Sequence, residues 1–267
     1  MTRLAVRVAA ASRRWPPAYR ALRAGHRAVG ERLPPRPVPG VPGRVHRNDL
    51  MLTGRSAAEV EAYVSLGARA VDLLADAVAP ARLEDLRDLV DLGCGHGRVL
   101  RHLVRRVDPA RVTAVDLDAS AAAFCAAEFG VRTADAAAGL PPADLVWCGS
   151  VLTHLDRPVW EALVADAGRA LRPGGTLVFS AHGPQALEGL GRELPYVAEA
   201  LPALRRELAA TGAAYLAYPH YSGAQYGLTV HTRPAVEAAA ARAGLLLHRH
   251  RERTWAAHDV YALRRPG

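Results

Sequence analysis

The chain has 267 residues, half of them hydrophobic, with 34 basic and 26 acidic residues and a formal net charge of +8. That length suits one large α/β domain with appendages, and no apolar run reaches the roughly 20 residues needed to cross a bilayer. Every basic residue is arginine and alanine is abundant, so the charge reads as compositional bias more than as a nucleic-acid face.

Three cysteines, Cys94, Cys125 and Cys148, are widely spaced and form no C-x-x-C. That argues against a disulfide framework or zinc site, predicts no metal, and fits a reducing, cytoplasmic setting. Nothing in the sequence sets an oligomeric state.

Residues 1–32 are rich in Arg, with Leu4, Val6, Val8, Trp15, Tyr19 and Leu22 interspersed. They read as a basic extension, poorly ordered or a docking helix, able at most to touch a membrane surface. Residues 33–44 carry repeated Pro and Gly and read as an extended linker, placing a boundary at 44. Residues 45–267 then form the main domain. Its first element is a helix over 56–78, opened by a capping box of Ser56 and Glu59 and stopped by Pro80.

Leu89 to Leu92 reads as a buried strand. It runs into Gly93, Gly95 and Gly97, and a helical pattern resumes at Val99 through Val107. Strand, glycine turn and helix together build a nucleotide-like ligand site at a helix N-terminus. Glycine there permits positive φ and close approach of a ligand to the backbone. A second strand, Arg111 to Val115, ends at Asp116, 23 residues beyond Gly93. At that distance an acid can bind ribose hydroxyls.

A helix over Ser120–Phe129 follows, then a short strand at 130–133 ending near Asp135. The fourth strand, Asp144–Trp147, leads through Cys148-Gly149-Ser150 to a helix at 158–171, a turn at 172–175 and a fifth strand at 176–180. Residues 183–228 interrupt this alternation as an insertion with a helical piece at 196–209. A last helix, 233–243, precedes strands at 245–251 and 260–264, too close for a crossover helix and therefore antiparallel. The result is an α/β fold, a doubly wound, mostly parallel sheet with helices on both faces.

Three ligands compete for the glycine turn. A P-loop needs Lys, which is absent, and a dinucleotide fingerprint needs its third glycine at 98, where Arg98 stands. Asp91-Leu92-Gly93-Cys94-Gly95-His96-Gly97, with Asp116, Asp135 and Leu171-Arg172-Pro173-Gly174-Gly175-Thr176, resembles a class I S-adenosylmethionine-dependent methyltransferase over about residues 85–265.

The resemblance implies a seven-stranded sheet of order 3-2-1-4-5-7-6 with strand 7 antiparallel, and S-adenosyl-L-methionine as cofactor. It implies that Gly93, Cys94, Gly95 and Gly97 pass beneath the cofactor and that Asp91 meets its methionine end. Asp116 would hold the ribose, Leu117 would pack on the adenine, and Asp135 and the Ala136 backbone would read the adenine edge. Carbonyls of Cys148 and Gly149 would lie near the methionine amine.

For the acceptor, His154 and His182 are the first candidates for a general base. Asp156, His220, Tyr221, Tyr226 and His231 are further possibilities, and the stretch Pro219–Gly227 reads as a lid or acceptor wall. His248 and His250 alternate on a strand and so share a face, without a third metal ligand nearby, and His258 and Asp259 read as structural. No Asn/Asp-Pro-Pro-Tyr/Phe follows the fourth strand, no Pro-Cys nucleophile is present, and the paired-glutamate loop of arginine methyltransferases is missing. A small-molecule acceptor is therefore expected, with an oxygen of a sugar or specialised metabolite as first candidate. The alternatives are RNA or protein methylation gripped by residues 1–32, or cofactor binding without turnover.

Overall fold

The computed structural model describes residues 25, 27–52, 54, 56–218 and 226–267. Residues 1–24, the greater part of the basic extension, and 219–225, the centre of the expected lid, lie outside the described residues. Five strands come first: β1 (Leu89–Leu92), β2 (Val112–Val115), β3 (Arg132–Thr133), β4 (Ala143–Cys148) and β5 (Leu171–Ala181). The strands β6 (Ala213–Ala217) and β7 (Gly227–His231) form a separate antiparallel pair, and β8 (Leu246–Trp255) and β9 (His258–Arg264) close the chain.

The main sheet runs β8-β9-β5-β4-β1-β2-β3. Counted within this sheet, the order is 3-2-1-4-5-7-6, and the last strand is antiparallel to both its neighbours. Central β1 is buried at all four positions because parallel partners flank it on both sides.

Two apolar layers cover the sheet. Leu89 points into one, with α1 (Ala57–Val78), α2 (Leu100–Leu103) and α3 (Ala119–Phe129). Val90 and Leu92 belong to the other, with α4 (Arg157–Ala170) and, beyond the insertion, α7 (Arg233–Arg242). The insertion contributes α5 (Ala186–Glu193), α6 (Pro195–Thr211), β6 and β7 around a small core of its own. Among the described residues no helix is long and apolar enough to cross a membrane.

Three local expectations change. The Pro/Gly segment is not free coil: Arg36–Pro37 pairs with Arg44–Val45, and Val38, Val41 and Val45 bury with Leu52 and Tyr63 of α1. Second, β5 starts at Leu171, which pairs with Ala143, and so absorbs the expected turn at 172–175; Arg172 is anchored there by Asp88 (2.7 Å) and Asp144 (3.3 Å). Third, His248 and His250 do not share a face as a pair, because a register shift falls between Leu247 and Arg249. His248 is exposed, whereas His250 stacks on Tyr261 and meets Asp259 at 3.3 Å.

Arg101 of α2 ties the N-terminal cover to the glycine turn. Its side chain is 2% exposed and donates to the carbonyls of Pro42 (2.5 Å), Arg44 (3.4 Å) and His96 (3.3 Å). The guanidinium also lies over the rings of Tyr63 and Phe129, at 5.3 and 5.2 Å. Replacing it removes the donor to these three carbonyls. Arg101→Met is expected to lower unfolding free energy by about 2–3 kcal/mol, the scale of charged hydrogen bonds, measured by urea titration.

Candidate active site

The turn after β1 is held by the end of β2. The N–H groups of Gly93 and Cys94 both donate to the Val115 carbonyl, at 2.7 and 3.2 Å. The next N–H, Gly95, donates to Asp116 Oδ2 at 2.8 Å, and Asp116 Oδ1 accepts from Asp118 N at 2.8 Å. The Asp116 carboxylate is thereby fixed in place, with lone pairs left for further donors.

The three glycines have φ of 76°, 49° and 80°, but they serve different ends. A Cβ on Gly93 would come within 2.2 Å of Val151, and one on Gly97 within 2.3 Å of Phe129. A Cβ on Gly95 meets nothing within 4 Å. Gly93 and Gly97 thus allow close packing, while Gly95 faces open space in front of the turn.

Asp91, at the end of β1, is 2% exposed, and its Oδ2 has no hydrogen-bond partner among the described residues. Burial and the negative charge of Asp116 push its carboxyl up to about 7, and Arg98 pulls it down in part. A buried carboxylate oxygen without a partner suits a cationic ligand group. Leu117 is 95% exposed beside Asp116 and offers an apolar surface of the kind a ring can cover. Asp135 is exposed and caps the 3-10 turn Ala136–Ala138 through Ala137 N at 2.9 Å. Cys148 is buried, and Gly149 lies against Trp147, whose ring a Cβ would approach to 2.7 Å.

A group of histidines gathers at the same end of the sheet. Ser150, with φ of 64°, turns the chain out of β4; its N–H donates to Ser180 Oγ at 2.8 Å. The same oxygen lies 3.2 Å from His258 Nδ1, and the His258 ring meets His182 edge-on at 4.7 Å. The insertion strand β7 supplies two carbonyls, two residues apart. Gly227 O lies 3.0 Å from His154 Nδ1 and Thr229 O lies 3.1 Å from His182 Nδ1. A carbonyl only accepts, so both histidines carry their proton on Nδ1 and leave Nε2 with a lone pair.

Burial lowers all three histidines: His182 to about 4, His258 to about 3, and His154 below its ordinary value. All are neutral at pH 7. The His154 ring stacks on Tyr226 at 4.8 Å, with the Tyr218 hydroxyl 3.2 Å from its Nδ1.

A family described as "Methyltransferase domain" matches residues 89–175. The trans-aconitate 2-methyltransferase of Azoarcus sp. (strain BH72) is 36% identical over 109 residues, covering 39% of this chain and 42% of that protein. The trans-aconitate 2-methyltransferase of Streptomyces avermitilis is 35% identical over 128 residues, covering 42% and 44%. The chain thus matches less than half the length of these curated relatives.

Among solved structures, the 1,6-didemethyltoxoflavin-N1-methyltransferase of Burkholderia thailandensis has a TM-score of 0.51 at 17% identity over 76% of this chain and 80% of that one. An amino pentose methyltransferase from Micromonospora echinaspora has a TM-score of 0.50 at 19% identity, over 76% and 91%. These two show the fold. Residues 89–175 thus resemble a methyltransferase domain, and the fold is that of the class I S-adenosylmethionine-dependent methyltransferases.

The structure brings Asp91, Gly93, Cys94, Gly95, Gly97 and Asp116 together around one turn. Asp135 and Ala136 stand at the end of β3, and Cys148 and Gly149 at the end of β4. Asp156 drops out as a base because it caps α4, accepting from Val159 N at 3.3 Å. His231 turns away: it stacks on buried Trp160 at 4.4 Å, and neither ring nitrogen has a partner among the described residues. His220 and Tyr221 lie outside the described residues. Three residues given no place in the site by the sequence belong to this end of the sheet: His258, which read as structural, Ser180 and Arg98. His258 lies 76 residues from His182 in sequence, and no local pattern announces the contact.

The glycine geometry separates folding from binding. Gly95→Leu is expected to keep the thermal unfolding midpoint within a few degrees, since a left-handed φ costs a side chain only about 1–2 kcal/mol. It is expected to abolish S-adenosylmethionine binding in calorimetry. Gly97→Leu, forced against Phe129, is expected to unfold several degrees earlier than Gly95→Leu.

Proposed function

We propose that this chain transfers a methyl group from S-adenosyl-L-methionine to a small-molecule acceptor held between the glycine turn and the insertion. The observation that carries the reading is the buried Asp91 oxygen with no partner among the described residues, at the root of the turn that leaves open space at Gly95. Asp91 takes the methionine amine, with the Cys148 and Gly149 carbonyls nearby. Asp116 accepts from the ribose hydroxyls, and charge-assisted bonds of this kind are strong. Leu117 packs on the adenine, and Asp135 with the Ala136 backbone reads its edge.

The sulfonium of the cofactor supplies an activated methyl group. The chain's own task is to align the acceptor, exclude water and remove a proton where the acceptor is a hydroxyl. His182 and His154 are the proton acceptors. Each is neutral, each has Nδ1 tied to a β7 carbonyl, and each keeps Nε2 for the acceptor. An oxygen of a sugar or specialised metabolite fits this chemistry. A carboxylate, the acceptor type suggested by the names of the trans-aconitate relatives, needs no base and is the second reading. Three free, buried cysteines among the described residues fit a reducing, cytoplasmic setting.

The test is transfer of labelled methyl to a panel of hydroxylated metabolites and carboxylic acids. Incorporation into a hydroxyl compound supports the first reading, and incorporation only into carboxylic acids supports the second. With a hydroxyl acceptor, His182→Asn is expected to lower kcat by about 10²–10⁴ without changing cofactor affinity. Because His182 titrates at about 4, kcat at saturating cofactor is expected to stay level from pH 6 to 8 and fall below about pH 5.

Cofactor affinity has a different pH dependence. Asp91 must ionise to meet the amine, and it is pushed up to about 7. Affinity in calorimetry is therefore expected to rise with pH up to about 7, by up to about tenfold per unit. Asp91→Asn is expected to bind more weakly with a level profile.

A further inference from the structure

Arg98 is a partly buried cation with no ion pair among the described residues. It follows Gly97, where the glycine turn passes into α2. Its Cζ lies 5.0 Å from the centroid of the Trp255 ring. That ring is itself fixed: Trp255 is 1% exposed, its Nε1 donates to Leu66 O of α1 at 2.8 Å, and Trp147 meets it edge-on at 5.2 Å. The face of the guanidinium is therefore occupied and its N–H edge is left for another partner.

The surroundings say what that partner is. On one side stands Asp91, whose charge the Arg98 cation stabilises without forming an ion pair. On another side His258, 6.0 Å ring to ring from Trp255, feels Arg98 as a repelling charge. Asp49, a nearby acid of the N-terminal cover, accepts from the Tyr63 hydroxyl at 2.7 Å and from Met51 N at 3.0 Å and forms no ion pair with Arg98 among the described residues. Burial destabilises the Arg98 cation, yet a guanidinium keeps its proton throughout the working pH range. A partly desolvated guanidinium without an anion is costly. Its planar fork matches one group above others, a carboxylate held by two parallel N–H bonds.

We propose that Arg98 is a carboxylate-binding residue of the cleft, its face held by Trp255 and its edge taking the carboxylate of a bound ligand. The proposal rests on the methyltransferase reading above. The carboxylate comes from one of two sources. With Asp91 taking an ammonium beside it, Arg98 completes a site for an amino-acid zwitterion, which is the methionine end of the cofactor. With the histidines beside it, Arg98 can instead hold the carboxylate of the acceptor.

Calorimetry on the full chain separates the sources. Wild type, Arg98→Gln and Arg98→Lys are titrated with S-adenosylmethionine and with its decarboxylated form, then with trans-aconitate in the presence of S-adenosylhomocysteine. If the cofactor carboxylate is the partner, wild type binds the decarboxylated form about 10–100-fold more weakly. Arg98→Gln then binds both forms with that same weakened affinity, and Arg98→Lys falls between. If the acceptor carboxylate is the partner, cofactor affinity is unchanged and Arg98→Gln loses at least about tenfold in trans-aconitate affinity.

The proposal is overturned if wild type does not discriminate the two cofactor forms and, in addition, either Arg98→Gln leaves trans-aconitate binding equal or wild type binds no trans-aconitate. The comparison of cofactor forms on wild type needs no variant to fold. Failure of wild type to bind S-adenosylmethionine at all is a different result: it overturns the cofactor site itself, and Arg98 with it.

Discussion

The site depends on a backbone junction between two parallel strands. Gly93 and Cys94 share the Val115 carbonyl, and Gly95 donates to Asp116 at 2.8 Å. These bonds connect the loop after β1 to the loop after β2. They place the open backbone at Gly95 and the Asp116 carboxylate in one rigid unit. Because β1 is buried on both faces, the junction has little freedom to relax, and the Asp91 carboxyl at its root is kept from water. The electrostatic character of the cleft follows: among the described residues, a carboxylate oxygen with no hydrogen-bond partner, a guanidinium without an ion pair, and a row of neutral histidines.

The insertion supplies what the parent sheet does not. Its strand β7 brings the Gly227 and Thr229 carbonyls against His154 and His182 and so sets the tautomer of both. A β-strand alternates its side chains, but carbonyls two residues apart point the same way. One short strand can therefore organise two rings that follow different strands of the sheet. Burial lowers the pKa values of both rings against the opposing pull of these carbonyls, so they are lone-pair donors rather than cations at neutral pH.

Much of the fold was legible in the sequence because its signals are local. The glycine spacing, the run Leu89–Leu92, the capping box at Ser56 and the acid at 116 each report on a few adjacent residues. The strand order also followed, once the resemblance was recognised. Boundaries were less legible. The chain from Leu171 into β5 read as a turn because Pro173, Gly174 and Gly175 are turn formers, yet Ala143 and the pair Asp88 and Asp144 draw it into the sheet. The Pro/Gly segment read as coil because proline removes donors. It nevertheless packs through Val38, Val41 and Val45, a tertiary effect that propensity does not contain.

The sequence by itself determined the ligand class at the glycine turn, through residue types whose chemistry is needed at fixed short spacings: three glycines, a strand-end acid and no lysine. Only the tertiary structure decided which side chains surround the cleft. Asp156 became a helix cap and His231 a stacking partner of Trp160. His258 was brought to His182, and Arg98 was set on Trp255. Those pairings join residues 76 and 157 positions apart, and their geometry comes from sheet order and from burial. No periodicity along the chain encodes it, because each contact depends on where two distant strands end.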